Sequence, residues 1–346
     1  MPQLCLDLDI LEANAQSMAR TIAGMGKDWR PHVKAHSDPR LANRLIELGA
    51  IGVTAARAAE VSSMADAGIP SILLAHICVS KSERQHLAVA AKKANIILCA
   101  DHYVQLELYS ETAAEQGVSF DVLIDVNVGM NRTGCRPRVD ATQLALAAQR
   151  LPGLKVTGLF GYEGHLLNIE SESEKQARIF DAMNTLDQTK QALQKAGVSC
   201  PIISAGASGS LHITGQHPTV TELQAGGGIF GDPYYIRCGL TGVQPALSVV
   251  ADVVSRPALD RAVLNAGRKA INPFVEPASV LNCPGAQILQ MSAEHTVLQL
   301  SGAARDLKIG DQVSLAVGYS DHTLLMHRVI QIVRDGRPAE TWDVRR

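Results

Sequence analysis

Runs of like charge, long apolar runs and paired cysteine spacings are all missing from this sequence of 346 residues. No cluster of one charge exceeds the pairs Lys92-Lys93 and Arg345-Arg346, and the net charge is −2, which argues against nucleic-acid binding. No apolar run approaches the length of a membrane span, which argues against a membrane protein. The seven cysteines are scattered. We therefore expect reduced thiols and a cytoplasmic location, without a disulfide framework or a zinc cluster.

What remains is the composition of an ordinary globular protein, with 46% hydrophobic and 19% charged residues. The length is sufficient for one large domain and a smaller one. The first nine residues alternate like a strand and carry two acids, so we expect no signal peptide there. No linker rich in proline, glycine or serine separates the two expected domains.

Strand-like and helical patterns alternate through the first two thirds of the chain. After an amphipathic helix at 10–24, eight strand-like runs occur at 29–34, 52–56, 71–77, 95–101, 120–128, 154–162, 201–205 and 220–226. Helical patterns between them include 40–48, 58–67, 83–94, 104–116, 142–150 and 171–196. This alternation predicts a (β/α)8 TIM-type barrel. The alternative, a doubly wound open sheet, lacks a strand–GxGxxG–helix unit in its favour.

From about residue 240 the helical periodicity fades. Strand-like segments follow one another at 246–255, 261–265, 286–290, 296–300, 312–317, 327–334 and 339–344, and Asp335-Gly336 predicts a hairpin turn. We therefore expect a barrel domain at residues 10–239. A smaller all-β domain is expected from residues 240–346 together with the strand at 1–9.

Lys34 is the first candidate catalytic residue. It follows the first predicted barrel strand, and active sites of such barrels lie where strands end. Arg30, His32 and His36 flank it in the sequence. A lysine among cationic groups is expected to have a lowered pKa and a nucleophilic amine, which Schiff-base chemistry requires.

The loops after strands seven and eight predict a phosphate site. Both are rich in small residues, which let backbone N–H groups approach a phosphate closely. The candidate cofactor-binding residues there are Ser204, Gly206, Ala207, Ser208, Gly226 and Gly227. A reactive lysine and a phosphate anchor together describe a site for pyridoxal 5'-phosphate (PLP). Tyr162 could contact the ring of that cofactor, and Arg132 could hydrogen-bond near its ring oxygen.

Several stretches resemble the D-threonine aldolase/D-serine dehydratase family, whose fold is that of alanine racemase (PLP fold type III). They are the segments 30–34, 52–55, 128–134, 221–226 and 266–270, in the order in which the family has them. The resemblance implies that Lys34 forms the Schiff base and that the loop 206–210 takes the phosphate. It also implies a homodimer in which the second domain helps to close the partner's site.

Two departures from the family concern its catalytic groups. Family lyases hold a divalent metal (Mn, Mg or Zn) with a histidine followed two positions later by cysteine or aspartate. His322 matches the histidine, Leu324 cannot be a ligand, and Asp321 is an alternative oxygen donor. Asp321 and His322 could instead form a hydrogen-bonded pair. Some family aldolases carry a catalytic histidine several residues past the tyrosine of loop six, whereas His165 stands only three past Tyr162.

The leading functional hypothesis is therefore a PLP-dependent lyase of D-3-hydroxy amino acids, small-molecule substrates that it would cleave like an aldolase or dehydrate. In that hypothesis Lys34 acts as a base after releasing the cofactor, and His322 acts on the β-hydroxyl group. The alternative is an amino acid racemase, with Lys34 opposite His165 or His322. A non-catalytic PLP-binding protein is a third possibility, which the appended β domain disfavours.

Overall fold

The computed structural model describes residues 1–345, in two compact units. One unit comprises residues 19–226 and 238–240, and the other comprises residues 1–18, 227–237 and 241–346. The chain begins with strand β1 (Gln3–Asp7) and helix α1 (Leu8–Gly24). Among the described residues, no helix is both long enough and apolar enough to cross a membrane.

The first unit is built on eight parallel strands that alternate with helices. The strands are β2 (Asp28–Trp29), β3 (Val53–Ala55), β4 (Ser71–Leu74), β5 (Asn95–Ala100), β6 (Phe120–Asp125), β7 (Leu154–Phe160), β8 (Ile202–Ala205) and β9 (Glu222–Leu223). The helices are α2 (Pro39–Glu47), α3 (Ala58–Asp66), α4 (Lys81–Ala91), α5 (Tyr103–Gln116), α6 (Val139–Ala148), α7 (Glu172–Lys195) and α8 (Leu211–Thr214).

Strand order shows the barrel directly. Strands β3 to β9 pair in sequence, and β9 pairs with β2. A parallel bridge from His32, just after β2, to Thr54 in β3 completes the ring. Short apolar strands suit this arrangement because parallel barrel strands are covered on both faces. The predicted (β/α)8 barrel is confirmed.

The barrel interior is filled by side chains from neighbouring strands. Leu73, Ile97, Cys99, Leu123 and Phe160 form one buried cluster. This cluster makes the barrel a packed core rather than a channel, and it leaves the loops after the strands to carry chemistry.

All eight barrel strands are shorter than the predicted runs, and the first and the last are reduced to two residues each. The strand predicted at 29–34 ends at Trp29. Pro31 has no N–H to donate, although the N–H groups of Arg30 and His32 still donate to the carbonyl oxygens of Leu223 and Gln224. The strand predicted at 220–226 is reduced to Glu222–Leu223, although Gln224 N–H still donates to the carbonyl oxygen of Ala205. Beyond each of these two strands the chain enters a loop that carries candidate site residues.

The second unit consists mainly of antiparallel strands. It contains α9 (Pro233–Arg237), β10 (Leu247–Ala258), β11 (Arg261–Leu264), β12 (Ser279–Val280), β13 (Ala286–Met291), β14 (Thr296–Leu300), β15 (Gln312–Ala316), α10 (Ser320–Thr323), β16 (Val329–Arg334) and β17 (Arg337–Asp343). Strand β1 lies between β10 and β16 and is parallel only to β16. Asp335 and Gly336 both have positive φ angles, as the predicted hairpin turn between β16 and β17 requires.

Candidate active site

Lys34 lies in a tight turn between the end of the first barrel strand and α2. The chain turns because the N–H groups of His36 and Ser37 both donate to the carbonyl oxygen of Val33, at 3.0 and 2.7 Å. Asp38 then caps α2, its carboxylate accepting from the N–H of Arg40 at 2.8 Å. The Lys34 side chain is exposed. Its backbone is thus fixed locally while its amine is accessible.

Positive charges from separate loops meet around His32. Burial, together with the charges of Lys34, His36 and Arg132, lowers the pKa of His32 to about 3. The guanidinium carbon of Arg132 lies 5.6 Å from the centre of the Tyr162 ring. The fold therefore brings Lys34 of loop one, Arg132 of loop five and Tyr162 of loop six towards one region.

Arg30 has a different role from the one that its place in the sequence suggests. It is buried, and its Nε donates to both carboxylate oxygens of Glu222, at 2.9 and 3.0 Å. Its Nη1 also donates to Ser71 Oγ at 2.9 Å. Because Glu222 matches its charge, Arg30 stabilises the barrel wall rather than adding a free cation beside Lys34.

The loop after β8 is compact and buried. Ser204 Oγ, at the end of the strand, accepts from Gln224 Nε2 at 2.8 Å. Gly206 has a φ of +84°, a conformation that favours glycine. The N–H of Ala207 donates to Ser210 Oγ at 3.0 Å, and Ser208 is only 2% exposed. The candidate phosphate loop is therefore an ordered turn that leads into α8.

The loop after β9 approaches the lysine loop through a glycine. A Cβ on Gly226 would lie 2.1 Å from the carbonyl oxygen and 2.5 Å from the backbone nitrogen of His32. Only glycine permits this approach. Gly227 belongs to the second unit, where it begins a short 3₁₀ helix, Gly227–Phe230, and a Cβ there would meet the Tyr235 ring.

His165 is exposed in a 3₁₀ turn, Gly164–Leu166, directly after Tyr162 and Glu163. A Cβ on Gly129 would lie 3.0 Å from His165 Nε2, so loops five and six are in contact there. Desolvation lowers the pKa of His165 below its ordinary value, and the charge of Glu163 partly opposes this effect. His165 can therefore accept a proton at neutral pH.

Other polar residues at strand ends have structural contacts. Arg57 pairs with Glu60 at 3.2 Å. Asp101 accepts from the N–H of Gly134 at 2.8 Å, and His102 caps α5. Polar clustering at these strand ends thus reflects capping as well as a site.

Glu163 and Lys175 were not recognised as site residues from the sequence. Both are buried, and both hydrogen-bond to the loop 206–210. A glutamate next to Tyr162 was the only available signal, and nothing in the helical pattern of α7 distinguished Lys175 from its exposed neighbours.

In the second unit, His322 packs against one ring of an aromatic cluster. Its ring lies 5.0 Å from that of Tyr319 in an edge-on arrangement, and Tyr319 in turn contacts Tyr234 and Tyr235. Asp232, fully buried, accepts from both the N–H and the Oγ of Ser320, at 2.8 and 2.7 Å. These contacts fix the start of α10, which carries Asp321 and His322.

The residues around His322 do not fit the metal site that the resemblance implies. Leu324 occupies the position of the second family ligand and is buried. Asp321 is adjacent to His322 rather than two positions away. Within residues 1–345, no three His, Cys, Asp or Glu side chains form a group that could hold a metal ion. We therefore derive no catalytic step through a metal.

The barrel residues, in contrast, fit PLP. Lys34 supplies an accessible primary amine, and Gly226 lets the loop after β9 lie directly against the backbone of His32 in the lysine loop. Arg132 and Tyr162 supply a cation and an aromatic ring. Glu163, the neighbour of Tyr162, connects this region to the phosphate loop through Gly206 and Ser210.

Comparison with known proteins supports this assignment. Residues 6–233 match the family model for the alanine racemase N-terminal domain, and residues 246–333 match a putative serine dehydratase domain. D-threonine aldolase from Arthrobacter sp. is 31% identical over 99% of this chain and 91% of its own length. The chain belongs to the D-threonine aldolase family.

Two further relatives are informative. D-threo-3-hydroxyaspartate dehydratase from Delftia sp. (strain HT23) is 27% identical over 78% of this chain and 72% of its own length. The crystal structure of D-threonine aldolase from Filomicrobium marinum matches with a TM-score of 0.93 and 31% identity, covering 99% of this chain and 95% of that one. The family is PLP-dependent, and both its aldolases and its dehydratases are lyases.

Proposed function

We propose that this protein is a PLP-dependent lyase that acts on D-3-hydroxy amino acids. The observation that carries the proposal is the convergence of Lys34, Arg132 and Tyr162 in the barrel of a chain that is 31% identical to D-threonine aldolase. Relatives that cleave and relatives that dehydrate such substrates both match, so the proposal covers retro-aldol cleavage and dehydration.

The cofactor would be held by residues from several barrel loops. Lys34 would bind its aldehyde carbon, and the loop 206–210 with Ser204 and Gly226 would hold its phosphate. Arg132 and Tyr162 would orient its ring. When bound, PLP withdraws electrons from the bond that breaks at the substrate's α-carbon.

The side chains of the protein would carry out the proton transfers of the reaction. Lys34, once released from the cofactor, can accept a proton as a free amine. His165 can do the same, since its pKa is lowered. We assign to His322 the role of accepting the proton of the substrate's β-hydroxyl group. The ring centres of His322 and Tyr319 lie 5.0 Å apart, so Tyr319 restricts the orientation of the imidazole.

The family resemblance also supports a homodimer, and the scattered cysteines support a cytoplasmic location. Among the described residues, which include all seven cysteines, none of the cysteines is joined in a disulfide, which is compatible with a reducing compartment. Sedimentation of the purified protein would measure the oligomeric state directly.

The test of the proposed function uses PLP-loaded protein and a panel of D- and L-3-hydroxy amino acids, each with manganese and with a chelator. Glycine plus an aldehyde, or a 2-oxo acid plus ammonia, from D-substrates only would support the lyase. Formation of the opposite enantiomer alone would show a racemase instead, and the lyase proposal would fall.

The chelator arm addresses the metal separately. Because the residues around His322 do not fit the family's ligand pattern, we expect activity to survive a chelator. Loss of activity with the chelator and its recovery with manganese would instead support a divalent metal held by Asp321 and His322.

A further inference from the structure

Two buried residues of opposite charge hold the candidate phosphate loop. Glu163, in the loop after β7, is 0% exposed, and Lys175, in the first turns of α7, is 5% exposed. Charged side chains are rarely buried this deeply unless hydrogen bonds compensate for the loss of water. Both of these find their partners in or next to the loop 206–210.

Glu163 contacts the loop at its beginning and its end. Its Oε2 accepts from the N–H of Gly206 at 3.3 Å, and its Oε1 accepts from Ser210 Oγ at 2.6 Å. The same Oε1 accepts from Thr214 Oγ1 at 2.5 Å, one turn into α8. A carboxylate with three donors fixes the separation of Gly206 and Ser210, which sets the curvature of the loop.

Lys175 contacts the loop between these two points. Its Nζ donates to the carbonyl oxygen of Gly209 at 3.0 Å and to that of Cys238 at 2.6 Å. This places one peptide of the loop in a defined orientation. It also places a full positive charge within hydrogen-bonding distance of the loop, where water does not screen it strongly.

We propose that Glu163 and Lys175 are positioning residues that hold the loop 206–210 ready for the phosphate of PLP. The inference rests on the proposed function, in which this loop holds that phosphate. An ordered loop binds more tightly because less conformational freedom is lost on binding. The negative charge of Glu163 by itself would repel a phosphate, and the charge of Lys175 offsets it.

Glu163 also links the two ends of the cofactor site. It follows Tyr162, which is placed to contact the ring, and it precedes the turn that carries His165. Glu163 is therefore joined to the loop 206–210 through hydrogen bonds and to Tyr162 through the chain.

The decisive experiment compares the cofactor with its analogue that lacks the phosphate. Dissociation constants for PLP and for pyridoxal are measured by absorbance on the apoprotein of wild type, Lys175→Met and Lys195→Met. Lys195 lies on the same helix and is exposed, so Lys195→Met is the matched control. We expect Lys175→Met to weaken PLP roughly 10-fold or more and to change pyridoxal less than about twofold.

Glu163→Gln provides a second variant with an independent expectation. The neutral amide has one accepting oxygen in place of two, so at least one of the hydrogen bonds to the loop is lost or reversed in direction, and those that remain are weaker. We expect weaker PLP binding and faster hydrogen exchange of the amides in 206–210, even though a negative charge has been removed. Glu170→Gln, at an exposed glutamate, is the control.

The outcomes distinguish a failure of the inference about Glu163 and Lys175 from a failure of the proposed function. Unchanged or tighter PLP binding in a folded Glu163→Gln or Lys175→Met would overturn the inference, as would an equal loss of PLP and pyridoxal. If either variant fails to fold, as shown by circular dichroism, the other one decides. Wild-type protein that binds no PLP would overturn the proposed function itself, and the inference with it.

Discussion

The backbone N–H of Lys34 donates to Nδ1 of His32 across 3.3 Å, so the two residues are tied together at the centre of the lysine loop. An imidazole nitrogen accepts a hydrogen bond only when it carries no proton. Burial and the neighbouring charge of Lys34 lower the pKa of His32 to about 3. The contact is therefore intact at neutral pH.

This relationship predicts an acid-sensitive contribution to stability. The folded-state pKa of His32 is below the ordinary value of 6.5, so the unfolded chain binds the extra proton first as the pH falls. The contribution is fully present above pH 6.5 and is lost progressively towards pH 3. When the pH falls from 7 to 5, we expect the free energy of unfolding of wild type to decrease by about 1–2 kcal/mol more than that of His32→Asn.

Urea unfolding at several pH values measures this difference. Asparagine keeps an acceptor near the position of Nδ1 but does not titrate. The control, His86→Asn, changes an exposed histidine on α4 and should retain the wild-type pH dependence. Parallel stability curves for wild type and His32→Asn would contradict the assignment.

The Arg30–Glu222 ion pair predicts a large cost for removing either partner. Both side chains are buried, and the guanidinium Nε contacts both carboxylate oxygens. Leaving one of these charges buried without its partner should cost about 3–5 kcal/mol in the free energy of unfolding. Glu222→Gln and Arg30→Met test this by denaturant unfolding.

An exposed ion pair of the same unit supplies the comparison. Arg136 and Asp140 lie 2.6 Å apart on the surface. Because water screens such pairs, Asp140→Asn should cost at most about 1 kcal/mol. Equal effects of Glu222→Gln and Asp140→Asn would mean that burial does not determine how much the Arg30–Glu222 pair contributes to the free energy of unfolding.

Gly226 predicts a defect in both stability and cofactor binding. An alanine there would place its Cβ 2.1 Å from the carbonyl oxygen of His32, so the backbone of the lysine loop must move. We expect Gly226→Ala to lose about 1–3 kcal/mol in unfolding free energy and to bind PLP more weakly. Gly24→Ala is the control, because a Cβ on Gly24 would meet no atom within 4 Å. Denaturant unfolding and PLP titration should both give wild-type values for this variant.

His165 predicts a feature of the pH–rate profile. Since desolvation lowers its pKa, its neutral form should persist below pH 6.5, and kcat/KM should stay level from neutral pH into mildly acidic pH before it falls. His165→Asn should lower turnover about 100-fold, and the fall of kcat/KM at acidic pH should disappear. An unchanged profile in His165→Asn would exclude His165 as the proton acceptor.

The sequence was sufficient to predict the barrel because its signals are local. Short apolar runs alternating with helical patterns repeat eight times, and Asp38 with Pro39 marks the start of α2. The strand at 29–34 was predicted too long because the extended pattern continues past Pro31, whereas regular strand pairing gives way there to an isolated bridge from His32 to Thr54. The two-residue strand β12 carries too few residues to produce a pattern.

The site was only partly predictable for a physical reason. The positions of Lys34 and of the small-residue loops follow from where strands end. The contacts of Glu163, Lys175 and Arg30 join residues that are 34 to 192 positions apart, and no spacing along the chain reveals such partners. Burial of their charges becomes visible only when the barrel is assembled.

Covalent attachment of the cofactor to Lys34 is the central claim of this account. Reduction of the PLP-loaded protein with borohydride, followed by peptide mass mapping, identifies the lysine that carries it, with Lys92→Ala as the control for an exposed lysine. We predict one reduced adduct, at Lys34, which is absent from Lys34→Ala together with turnover of D-3-hydroxy amino acids. An adduct at another lysine, or full turnover by Lys34→Ala, would contradict the account.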